Sequence, residues 1–85
     1  MVLQNIRDIC KAVTKELIIR YKDEENFNKW SHETIIGIIG FIKPKKEKEG
    51  TILNALIDGG YLYCNEAIYG LGPRVKVEGT GWAVC

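Results

Sequence analysis

Eighty-five residues lie below the usual domain size of roughly 100–150, which predicts one domain over residues 1–85 and leaves little room for a separate catalytic cleft. Apolar residues make up 46% of the chain, and 12 Lys and Arg against 11 Asp and Glu give a net charge of +1; this excludes a disordered polyampholyte and a molecule whose overall field draws it to phosphate. The longest uncharged run, residues 34–42, falls short of the roughly 17–25 residues of a membrane span, and Arg7 and Asp8 interrupt any signal-peptide stretch, so a cytoplasmic protein with no membrane partner is expected.

Near the N-terminus Ile6, Ile9, Cys10, Val13 and Leu17 recur at three- and four-residue steps, with Arg7, Asp8, Lys11, Lys15 and Glu16 between them. That pattern predicts an amphipathic helix of about four to five turns ending near Lys22. The polar cluster Asp23-Glu24-Glu25-Asn26 then reads as a loop, which Phe27 and Trp30 pin to the core.

Ser31 begins the next helix: its side-chain oxygen can accept a first-turn N–H, and Glu33 complements the positive end of the dipole. The run Ile35-Ile36-Gly37-Ile38-Ile39-Gly40 shares its spacing with the glycine loop by which KH domains clamp a nucleic-acid backbone. Such a loop places polar or basic residues between its glycines, whereas here Ile38 and Ile39 occupy those positions and Lys43 stands where that loop is apolar. A buried helix is the better reading, with Gly37 and Gly40 admitting a neighbouring element closely despite roughly 1 kcal/mol lost per helical glycine. Pro44 stops it, because Lys43 is pushed out of helical geometry.

Residues 45–49 form a charged connector or the first turn of a third helix, in which Ile52, Leu53, Leu56 and Ile57 repeat at helical spacing. Gly59-Gly60 supplies a left-handed stop. From Tyr61 the chain has strand character. Tyr61, Leu62, Tyr63 and Cys64 form one strand, Asn65-Glu66 a turn, and Ala67, Ile68, Tyr69 and Leu71 the return. Alternation puts Tyr61 and Tyr63 on one face, so at least one should be buried. After Gly72-Pro73, Val75 and Val77 alternate with charges, Gly79-Thr80-Gly81 turns, and Trp82-Ala83-Val84 pairs back. The expected class is α+β, three helices followed by a small antiparallel sheet over residues 61–84.

The cysteines, Cys10, Cys64 and Cys85, offer no C-x-x-C pair, and His32 is the one histidine. This is neither a zinc pattern nor a secreted disulfide framework. Cys10 and Cys64 fit apolar positions, His32 a surface turn, and Cys85 an exposed thiol able to crosslink two copies. No phosphate-binding loop, metal cluster or nucleophile–base pairing stands out. A non-catalytic protein without cofactor is expected.

Helix, helix, turn, helix, then a hairpin carrying Leu53, Leu56, Gly60, Tyr61, Leu62, Tyr69 and Leu71 at matching places resembles winged helix-turn-helix domains over nearly the whole chain, as an order of elements. That resemblance implies a third helix that enters the major groove and a wing that reaches the backbone. By position, Thr51, Asn54, Ala55 and Asp58 would face the bases, Lys43, Lys45, Lys46 and Lys48 would flank the helix start, and Arg74 with Lys76 would follow the wing. Double-stranded DNA is then the partner, and a homodimer supplies two half-sites where one helix makes few contacts. The alternative is a winged-helix-like module that binds or inhibits a protein partner. Near-neutral charge, the acids Glu47, Glu49 and Asp58, and the aromatic residues Tyr61, Tyr63, Tyr69 and Trp82 favour it.

Overall fold

The computed structural model describes the backbone of residues 5–78 and 81–84, and the side chains of residues 5–75. Gly79-Thr80, Cys85 and the side chains of Lys76 and Trp82, on which the sequence raises expectations, lie outside the described residues. Helix α1, Ile6–Tyr21, starts where the Asn5 side chain accepts the Asp8 N–H at 2.9 Å. It buries Ile9, Cys10, Val13, Thr14, Leu17 and Ile18, and the one hydroxyl among them is satisfied locally, Thr14 Oγ1 donating to Cys10 O at 2.8 Å.

The loop that follows is held from both ends. Trp30 is fully enclosed, with the Phe27 ring edge-on at 5.6 Å and Tyr21 at 6.0 Å. Asn28 adopts a φ of 65° and its Oδ1 accepts the Leu71 N–H at 3.0 Å, tying the loop to the distant hairpin. Trp30–Ser31 is a two-residue strand, β1, which was not predicted: it is too short to show periodicity, and its partners Tyr69 and Ile68 are far along the chain.

Ser31 caps α2, His32–Ile42, by accepting the Thr34 N–H at 3.2 Å, and the helix stops at an extended Lys43 before Pro44, as predicted. Ile35, Ile38 and Ile39 enter the core. Gly37 and Gly40 do not: both are exposed, and a Cβ on either would meet nothing within 4 Å. The expectation that they admit a neighbouring element of the fold is therefore wrong. The turn of the helix that buries Ile35, Ile38 and Ile39 points positions 37 and 40 at solvent.

Residues 43–48 are a connector, and α3 runs Glu49–Asp58 with Ile52 and Leu56 buried. Ile57, assigned to the same apolar stripe, is on the exposed side. The helix closes with paired backbone bonds, Gly60 N–H to Ile57 O at 3.1 Å and Tyr61 N–H to Leu56 O at 2.9 Å, around Gly60 at a φ of 80°, the geometry of a Schellman stop.

Strands β2, Leu62–Asn65, and β3, Ile68–Leu71, pair with Leu62 opposite Leu71 and Asn65 opposite Ile68. The sheet order is β1-β3-β2, all antiparallel. The two-residue turn is Glu66-Ala67, one residue later than predicted, with φ of 51° and 69°. Positive φ at both positions marks a primed turn that asparagine and glycine normally occupy. Tyr61 is buried just ahead of the strand, whereas Tyr63 and Cys64 are exposed; Cys64 is thus not the buried residue its apolar neighbours implied. Strands β4, Val75–Glu78, and β5, Gly81–Val84, make a separate antiparallel pair, so residues 61–84 contribute to two sheets rather than one. The result is an α+β arrangement of three helices with a three-stranded antiparallel sheet, as expected. Among the described residues no helix is long and apolar enough to cross a membrane.

Two substitutions test these turns. Gly60→Ala forces a left-handed alanine and should lower unfolding free energy by about 1–2 kcal/mol. Glu66→Asn with Ala67→Gly relieves the hairpin and should raise it by about 1 kcal/mol. Urea denaturation of each variant reads both signs.

Candidate nucleic-acid interface

The connector between α2 and α3 gathers four lysines, but they are not equivalent. Lys43 keeps only 15% of its side chain exposed; its Nζ lies 3.6 Å from a Glu49 carboxylate oxygen and 3.4 Å from Pro44 O. It is occupied in bracing the connector against the first turn of α3. Lys45, Lys46 and Lys48 are exposed, and none of them joins an ion pair among the described residues. Lys48 occupies the N-cap position of α3 without a side-chain cap.

Immediately beyond them, α3 presents Gly50, Thr51 and Asn54 to solvent, followed by Ile57 and Asp58. Thr51 and Asn54, three apart, share one side of the helix. Ala55 is half-buried and packs on the core, so it does not join that face as the sequence suggested. The N-terminal half of α3 is thus small, polar and next to free cations, while its C-terminal half is apolar and acidic.

Arg74 does not belong to this cluster. Its Nε donates to Gly59 O and its guanidinium lies 5.4 Å from the Tyr61 ring centroid, at the far end of α3. Ten helical residues at about 1.5 Å each separate it from the lysines by about 15 Å. A cation there complements the carbonyl end of the helix dipole, and its role is to finish α3 rather than to follow the hairpin. The hairpin tip carries Glu66, and no Lys or Arg occurs in residues 61–73. The outer side of the hairpin exposes Tyr63 at 58% and Ile68 at 46%.

Two further features escaped the sequence. One is Asn28, whose left-handed backbone gave no local pattern. The other is the solvent face of α2, where Phe41 is 70% exposed and covered on one side by Arg20 at 5.0 Å, near an α1 end that exposes Ile19 at 69%. His32 is exposed and its ring lies 6.1 Å from Tyr69. Burial, then a hydrogen bond and the charge of Cys64, push the Tyr69 hydroxyl up.

The cleft beside Arg74, lined by Ile6, Arg7, Cys10, Ala55 and Tyr61, measures about 210 Å³, below the roughly 300–1,000 Å³ of ordinary ligand pockets. Among the described residues no group of three or more His, Cys, Asp or Glu is placed to hold a metal. Comparison with protein-family models, curated proteins and solved structures finds no match to this chain.

Burial pushes the Cys10 thiol up, which suppresses its thiolate, while Cys64 is free and exposed. Peptide mapping after a short treatment with iodoacetamide at neutral pH should find Cys64 alkylated and Cys10 unmodified until denaturant is added.

Proposed function

We propose that this chain is a small DNA-binding regulator of transcription. It acts in the cytoplasm as a homodimer and uses α3 with its lysine-bearing lead-in to contact duplex DNA. The observation that carries this reading is the adjacency of exposed Lys45, Lys46 and Lys48 to the exposed Gly50, Thr51 and Asn54. In helix-turn-helix recognition, N-terminal residues of the second helix reach base edges. Lysines at its entry can take phosphates, and an asparagine can pair with adenine. The order of three helices and a hairpin, shared with winged helix-turn-helix domains, supports the same reading. Among the described residues Arg74 and the hairpin add no free cation to this cluster, which offers at most about three phosphate contacts per chain, and this favours two chains on two half-sites.

Binding to duplex DNA should weaken as salt rises, and Lys46→Ala with Lys48→Ala should reduce the slope of log affinity against log salt by about 2 per chain. Asn54→Ala should cost about 1–3 kcal/mol on the preferred sequence and relax discrimination at one position. A selection from random duplexes followed by a salt titration measures both. Absence of any duplex binding at low salt overturns the proposal.

One observation favours the second reading, a protein-binding module: the hairpin offers Tyr63 and Ile68 with Glu66 at its tip, a surface suited to another protein rather than to phosphates. Under that reading Tyr63→Ser abolishes partner capture and leaves DNA irrelevant.

A further inference from the structure

We propose that the solvent face of α2 is a self-association surface, on which a second copy of this chain lays its own α2 antiparallel about a two-fold axis. Glu33, Gly37, Gly40 and Phe41 form one exposed stripe at helical spacing. Neither glycine is required by the fold. A Cβ at either position meets nothing within 4 Å, and neither has a positive φ. Both sit inside an 11-residue helix, where glycine is among the least favourable residues. What two adjacent bare positions offer is close approach of another backbone, and within the described chain no backbone makes that approach. Phe41 borders this floor as an exposed apolar wall, its ring steadied by Arg20, which is itself held by Glu16.

The charges at the two ends of the stripe identify the occupant. The N-terminal end carries Glu33 and the C-terminal flank carries Lys43 and Lys45. An antiparallel pairing that sets Gly37 opposite Gly40 brings Glu33 to the C-terminal end of the second copy's α2, which Lys43 and Lys45 follow. A parallel pairing would stack acid on acid and lysine on lysine. One patch that carries both halves of its own charge pairing meets the requirement of an isologous interface. Lys43 already braces Glu49, so Lys45 supplies the free cation, which leaves Lys46 and Lys48 for phosphate. The inference deepens the homodimer proposed above and rests on it for its use, but the interface forms without DNA.

Sedimentation equilibrium over a concentration series, without DNA, tests it. The wild type should self-associate. Gly37→Gln with Gly40→Gln should be monomeric at all concentrations, yet at low concentration unfold about 4–8 °C higher, so that lost association cannot be lost folding. Glu33→Lys should also be monomeric, and adding Lys45→Glu should restore association. A wild type that stays monomeric at the highest concentration overturns the inference, as does a glutamine double variant that associates like the wild type. A self-associating wild type that ignores duplex DNA overturns only the DNA reading.

Discussion

The backbone at Gly60 and Tyr61 is the constraint on which the rest of the fold depends. Within these two residues, Tyr61 N–H closes α3 on Leu56 O, Tyr61 O receives the Gly72 N–H at 2.9 Å, and Gly60 O receives the Arg74 N–H at 2.9 Å. The end of the third helix, the return of the hairpin and the approach to β4 therefore meet at one point. Two glycines make this possible. Gly60 supplies the left-handed turn, and at Gly72 any Cβ would collide with Gly60 O. Backbone strain and close approach both call for glycine here, and the Arg74 side chain completes the junction by capping Gly59 O while lying against Tyr61.

That junction explains which parts of the fold were legible in the sequence. Helices α1 and α2 and the stop of α3 follow from local chemistry: apolar steps of three and four, a serine cap, a proline, a glycine pair. Strand β1 and Asn28 were not legible because their partners, Tyr69, Ile68 and Leu71, lie in the hairpin, and a two-residue strand has no period. The hairpin turn falls one residue later than the sequence implies for a related reason. Asn65 is a better turn former than Ala67, but cross-strand register, with Leu62 opposite Leu71, outweighs that preference. The exposure of the α2 glycines is not legible either, because periodicity identifies a face without saying that Ile35, Ile38 and Ile39 claim the core and leave positions 37 and 40 outside.

The candidate site was legible only in part, and the division is electrostatic. Sequence proximity alone grouped Lys43, Lys45, Lys46 and Lys48, and three of these are free cations beside Thr51 and Asn54. Lys43 is diverted by Glu49, a pairing that depends on how the connector folds back. Arg74 follows the hairpin in the chain, but its guanidinium is drawn to the carbonyl end of α3. A cation near a helix C-terminus in a tight junction has a structural use before it has a binding one.

A chain with a net charge of +1 can still present distinct surfaces if its charges are sorted, and here they are. Free lysines collect at the entry to α3, an acid occupies the hairpin tip, and α2 turns a nearly bare face outward between an acid and a basic flank. Long-range steering by the whole molecule is weak under these conditions, so a polyanion would be engaged through the lysine cluster and the short-range fit of Gly50, Thr51 and Asn54. In the proposed dimer, two such clusters would raise each other's effective concentration on a continuous duplex. The geometry of pairing, rather than the charge of one chain, would then set the strength and spacing of contact.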